Sequence, residues 1–267
     1  MTMLSNSNDP IILSVPIDEY SDSIDQSITG LKSQGIKHFS IFNINGKFVS
    51  TLPDDTLLRI RKLLEGVNVQ VVKLDLGYNC IPSTPAIEKQ MSIASFFKAK
   101  SVILGLTAVA FNNKLEEIDK FLSTLTDRAV SMSIIPLIDL GHDLFETDPE
   151  AFASRFSKYR KIKYLYDPSR FMERSRTFPS IKWWPKISAN VNCVVLRDFR
   201  TGLGYFPIGE GVTNIAETAK EFVKAGGRSL IFRPSLGRRY GSHLGKDKTF
   251  GLAYKILRER LKEVIND

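Results

Sequence analysis

Along this chain, short apolar runs alternate with stretches in which apolar residues recur every three or four positions, and the pair repeats eight times. The runs cover residues 11–16 (IILSVP), 37–43 (KHFSIFN), 69–76 (VQVVKLDL), 101–106 (SVILGL), 133–140 (SIIPLIDL), 162–167 (IKYLYD), 192–198 (NCVVLRD) and 229–234 (SLIFRP). Several are apolar almost throughout, the pattern of parallel strands covered on both faces. Between them, Leu115, Ile118, Leu122 and Leu125 share one helical face, and 250–264 buries Phe250, Ala253, Ile256, Leu257 and Leu261.

Helix ends are marked as well. Thr84 precedes Pro85, a cap followed by proline in the first helical position. Asn113 with Glu116, Thr147 with Glu150 and Asn214 with Glu217 have capping-box spacing. Gly66 and Gly226 fall where a left-handed residue ends a helix. Eight such units, without a linker or low-complexity segment, predict an α/β protein: a single-domain (β/α)8 TIM barrel over residues 1–267, with its core at about 11–264. The alternative is an open doubly wound sheet, but no Gly-x-Gly-x-x-Gly follows the first strand.

Composition narrows the partners. A formal charge of +8 favours acidic ligands, although Lys and Arg are spread along the chain rather than gathered in a tail. Cys80 and Cys193 are the only cysteines, which excludes a disulfide framework and a Cys-rich zinc site. The N-terminus lacks the basic region of a secretory signal, and no apolar stretch nears the roughly 20 residues of a membrane span. The expectation is a cytoplasmic protein with no membrane partner.

Residues 192–234 run strand, loop, Pro207-Ile-Gly209-Glu210-Gly211, helix, Ala225-Gly226, strand. This order resembles the xylose-isomerase-like TIM barrels, the sugar isomerase/epimerase and endonuclease-IV superfamily. The segment IKYLYDPSR is similar to the sixth strand of that family. The resemblance implies one divalent metal held by a Glu, an Asp, a His and a Glu from strands five to eight. On this sequence those places carry Asp139, Asp167, Val195 and, on or near it, Arg233; Arg170 stands where relatives often have His. Valine cannot ligate a metal and a guanidinium repels one, so no cofactor is expected; a divalent metal recruited to Asp139 and Asp167 with water ligands is the disfavoured alternative. An abasic-site nuclease of the endonuclease-IV kind needs many histidines, and His38, His142 and His243 have no ligand spacing.

Side chains two apart share a strand face, which puts Asp139, Asp167, Arg197 and Arg233 together at the carboxyl ends of their strands. Arg233, aided by Arg197, is expected to take the place and charge of the missing cation against the two aspartates, which would act as bases. Lys73 and Asp75 on the third strand, Arg170 and Glu210 extend the candidate site. Arg238, Arg239 and His243, in the glycine-rich loop after the last strand, form a candidate anion grip. Lys73 and Lys163 are candidate amine nucleophiles, and 171–182 a candidate lid. The implied ligand is a small anionic or sugar-like molecule, and the implied reaction isomerisation or epimerisation. The competing readings are a salt-bridge network that only plugs the barrel, in a non-catalytic relative that binds an anion or a protein, and nucleic-acid binding by a basic face, for which no aromatic and basic stripe is present.

Overall fold

A computed structural model describes residues 10–67, 70–75, 84–105, 115–140, 148–175, 182–236 and 244–265. Eight parallel strands close into a barrel: β1 (Ile12–Pro16), β2 (His38–Ile41), β5 (Gln70–Asp75), β6 (Ser101–Leu104), β7 (Ile135–Asp139), β8 (Lys163–Tyr166), β9 (Val191–Leu196) and β12 (Ser229–Phe232). Each neighbours its sequential partner, and β12 pairs with β1 (Leu13 opposite Leu230), so no edge is left. All eight predicted runs form barrel strands.

The period of two divides each strand's side chains between two cores. Val15, Phe39, Val71, Val102, Ile138, Tyr164, Val194 and Leu230 face the helical shell. Phe42, Ile103, Leu137, Leu165, Cys193, Val195 and Ile231 fill the lumen. The shell comprises α1 (Ile24–Ser33), α2 (Asp54–Gly66), α3 (Thr84–Phe96), α4 (Leu115–Ser131), α5 (Pro149–Phe156), α6 (Pro168–Ser175), α7 (Trp184–Ile187), α8 (Ile215–Lys224) and α9 (Lys246–Arg260). Ile118, Leu122 and Leu125 of α4 are fully buried, as their spacing predicts.

Several local expectations need correction. Helix α5 is capped by Asp148, whose carboxylate accepts from the amides of Glu150 and Ala151; Thr147 lies outside the described residues, as does Asn113. Asn214 precedes α8 in a left-handed conformation (φ 53°) and makes no side-chain cap bond. Gly66 is the last residue of α2 without a positive φ, whereas Gly226 does turn left-handed after α8. Of the segment 171–182, residues up to Ser175 continue α6, with Phe171 and Met172 buried, which is helix rather than lid; 176–181 lie outside the described residues.

Two hairpins rise from the C-terminal ends of the strands and have no counterpart in the periodicity. β3 (Asn43–Ile44) and β4 (Lys47–Phe48) are joined by Asn45-Gly46, both with positive φ, the turn an Asn-Gly pair favours. β10 (Asp198–Arg200) pairs with β11 (Gly204–Phe206) directly after β9.

Candidate functional site

Asp139 ends β7, while Asp167, Arg197 and Arg233 each follow the last residue of β8, β9 and β12. Each lies two positions beyond a lumen residue (Leu137, Leu165, Val195, Ile231), and the four meet at the barrel's C-terminal rim. Their pairing differs from the expectation in one respect: the guanidiniums on the aspartates are those of Arg170 and Arg197.

Arg170 reaches this place because α6 begins directly after Asp167. Pro168 occupies the first helical position, where its fixed φ suits a helix start, and the amide of Arg170 bonds to the carbonyl of Asp167 at 3.2 Å. That turn carries the Arg170 side chain back over the rim. Its Nη1 donates to Asp139 Oδ2 at 2.8 Å, and its Nε lies 3.6 Å from Asp167 Oδ2. Arg197 donates to the same Asp167 Oδ2 from Nη2 at 2.6 Å and from Nε at 3.0 Å. Ser169 donates to the other oxygen, Oδ1. Asp139, Asp167, Arg170 and Arg197 are all buried.

The network continues around the rim. Arg197 Nη1 donates to Ser235 Oγ at 3.2 Å; Ser235 in turn donates to Glu19 from its amide at 2.8 Å and its hydroxyl at 3.0 Å. Ser235 adopts a positive φ of 46° to make this double contact. Arg233 faces Glu19 with Nε at 3.5 Å from Oε1 and lies 4.1 Å above the Phe42 ring. Three carboxylates (Asp139, Asp167, Glu19) thus meet three guanidiniums, and the formal charge cancels. The expectation that Arg233 pairs with the aspartates is corrected on this point. Glu19, in the loop leaving β1, engages Arg233, and Arg170 takes the inner position.

Electrostatics sort the carboxylates. Burial opposes ionisation of Asp167, but the charges of Arg197 and Arg170, with hydrogen bonds from Arg197 and Ser169, outweigh it and hold its carboxyl below the ordinary range. Asp18, beside Glu19, behaves oppositely. Burial first, then the neighbouring Glu19 charge, raise its pKa to about 6, against a smaller pull from Arg233 and Lys246. Its buried Oδ1 has no hydrogen-bond partner among the described residues. Asp18 and Glu19 fall outside the sequence-based expectation; the one signal for them is an acidic pair one residue past the first strand.

The Pro207–Gly211 turn has a structural purpose. Asp198 Oδ1 accepts from the amides of Phe199 and Thr213 and from Thr213 Oγ1 (2.9, 3.0 and 2.7 Å), and Oδ2 accepts from the Gly209 amide at 3.1 Å. A Cβ on Gly211 would lie 2.1 Å from Asp198 Oδ1, so only glycine fits. The carboxylate thereby folds 199–213 into the platform that holds Tyr205, whose ring lies 4.1 Å under the Arg197 guanidinium and whose hydroxyl donates to Glu173 at 2.6 Å. Glu210 is half-buried, and its carbonyl accepts from Arg200.

Lys73 does not join the rim. It stands in register with Ser101, the first residue of β6, so it enters the lumen from the opposite end, near the Cys193 thiol. Burial lowers its pKa, against a smaller rise from Cys193. Asp75 ends β5 opposite Ile103. Arg238, Arg239 and His243 lie outside the described residues, as do Cys80 and His142. His38 opens β2 at the N-terminal end, away from the rim.

The donor set does not suit the divalent ion that the resemblance implies. Both aspartates are engaged by arginines, Val195 lines the lumen, and no group of three or more His, Cys, Asp or Glu among the described residues is arranged to hold a metal.

No protein-family model matches the chain, and no curated protein matches its sequence. Solved structures do match in fold. A xylose isomerase-like TIM barrel protein from Mycobacterium smegmatis in complex with magnesium is 12% identical, with a TM-score of 0.65 over 96% of this chain and 99% of that one. D-allulose 3-epimerase from Methylomonas sp. has 12% identity and a TM-score of 0.65 over 94% and 98%. An AP endonuclease, family 2, from Brucella melitensis has 10% identity and a TM-score of 0.61 over 84% and 92%. At these identities the likeness is one of fold: that of the xylose-isomerase-like TIM barrels.

Proposed function

We propose that the barrel mouth binds a small oxygen-rich carbonyl compound, a sugar or sugar phosphate, and isomerises or epimerises it by proton transfer without a metal ion. The observation that carries this reading is the Asp139–Arg170–Asp167–Arg197 chain, which balances two carboxylates with two guanidiniums, in place of a metal ion, at the strand ends where barrel enzymes build their sites. A D-allulose 3-epimerase among the similar folds supports the reaction class.

The arrangement redistributes the roles expected from sequence. Asp167, held ionised by two arginines, is a weak base, and Asp139 is tied to Arg170. Asp18 is better matched: a carboxyl titrating near 6 can take a proton from carbon and return it near neutral pH. Arg233 and Lys246, whose charges reach Asp18, stabilise the enediolate that forms. Arg170 and Arg197 position the rim.

The test is a panel of free and phosphorylated aldoses and ketoses incubated in deuterated water, with chelator or with manganese, and followed by proton NMR. The reading predicts deuterium exchange that survives chelator and is lost in Asp18→Asn. Exchange only with manganese, or none for any sugar, contradicts it. A second reading, a non-catalytic barrel that binds an anion, is favoured by the saturation of both aspartates, and saturable binding without exchange would support it.

A further inference from the structure

The end of the barrel away from the rim holds a cavity of about 560 Å³, within the range of small-molecule sites. Among the described residues, four cationic side chains line it, Lys73, Lys100, Lys163 and Arg228, and no Asp or Glu does. Trp184 and Phe222 supply aromatic walls, and Ile135, the first residue of β7, leaves 39% of its surface open there.

Two features set this cavity apart from an accidental hollow. The lower lumen of this barrel is polar where packed aliphatic layers are usual: Ser40 donates to Ser14 at 2.9 Å, and the buried Lys73 lies near the Cys193 thiol. The Lys73 amine, 2% exposed, therefore sits at the cavity's inner end without a carboxylate among the described lining residues. Burying an amine there costs desolvation that an aliphatic residue would avoid, and an anion entering from below would offset it.

We propose that the N-terminal face of the barrel carries a second site, distinct from the rim, for a small organic anion with an apolar body, such as a medium-chain carboxylate. The anionic head is held by Lys163 and Lys100 with Lys73 at its inner end, and the apolar body lies against Trp184 and Phe222. Arg228 is a weaker contributor, because its Nη1 already donates to the carbonyls of Val223 and Gly227, both at 2.9 Å. The site is independent of whether the rim is catalytic.

Octanoate and its neutral analogue 1-octanol are the probes, titrated into the full chain with tryptophan emission as readout, since Trp184 lines the cavity. The double variant Lys100→Gln/Lys163→Gln, two side chains that are not fully buried, removes the outer charges. The proposal predicts saturable binding of octanoate, and binding at least about tenfold weaker for octanol and for the double variant, the loss expected when charge-assisted hydrogen bonds are removed. Equal affinity for octanol and octanoate, undiminished affinity in the variant, or no saturable change in the wild type each overturns it. Should the variant fail to fold, the comparison of the two probes on the wild-type chain still decides.

Discussion

Arg170 and Asp139 lie 31 residues apart and meet at 2.8 Å across the C-terminal rim of the barrel, both buried. A guanidinium on a helix begun by Pro168 thus neutralises a carboxylate at the end of β7, and the same side chain reaches Asp167. The pair fixes what the rim can do: its charge is supplied by the chain itself.

Removing one partner leaves a buried charge uncompensated. Arg170→Ala is predicted to destabilise the fold by roughly 3 to 5 kcal/mol, whereas Arg170→Met with Asp139→Leu, which removes both charges, is predicted to stay near wild type. Chemical denaturation of the two variants distinguishes these outcomes.

The two perturbed aspartates give opposite pH dependences. Asp167, with its folded pKa below 3.8, contributes stability that is present above that value and lost as pH falls through the folded pKa. Asp18, raised from 3.8 to about 6, contributes stability that is full below 3.8 and lost as pH rises through 6. Asp18→Asn is therefore predicted to flatten the fall in melting temperature between pH 4 and 6 (on the order of 2 kcal/mol). An unchanged slope in that window would contradict the assignment of Asp18.

Gly211→Ala drives a Cβ into the Asp198 carboxylate and is predicted to cost about 1 to 3 kcal/mol and to loosen the Tyr205 platform under Arg197. Gly202→Ala, which has open space but a φ of +77°, is predicted to cost only about 1 kcal/mol. Thermal melts of both variants check the ranking.

Much of this architecture is legible in the chain. Eight apolar runs with intervening helical periodicity become eight barrel strands, and two-residue alternation correctly brings Asp139, Asp167, Arg197 and Arg233 to one rim. The choice of partners is not legible. Whether Arg170 or Arg233 covers the aspartates depends on α6 starting without an intervening loop, and on Glu19 being folded over β12 through Ser235. Those are contacts between distant segments, and periodicity carries no information about them. Lys73 illustrates register in the same way: its parity is right for the lumen, but alignment with the first residue of β6 puts it at the opposite end.

Lys73→Met tests that placement. With its pKa lowered by burial, the amine costs the fold more than it returns, so the apolar variant is predicted to melt at or above the wild-type temperature. A loss of several degrees would mean that the Lys73 amine, beside Cys193, holds the lumen together.

The most direct test of the rim is calorimetric titration of the chelator-treated protein with manganese, alongside Asp139→Asn and Asp167→Asn. Because Arg170 and Arg197 already occupy both carboxylates, the wild type is predicted to take up no stoichiometric ion at the rim. Uptake of one ion per chain that either asparagine variant abolishes would contradict the account.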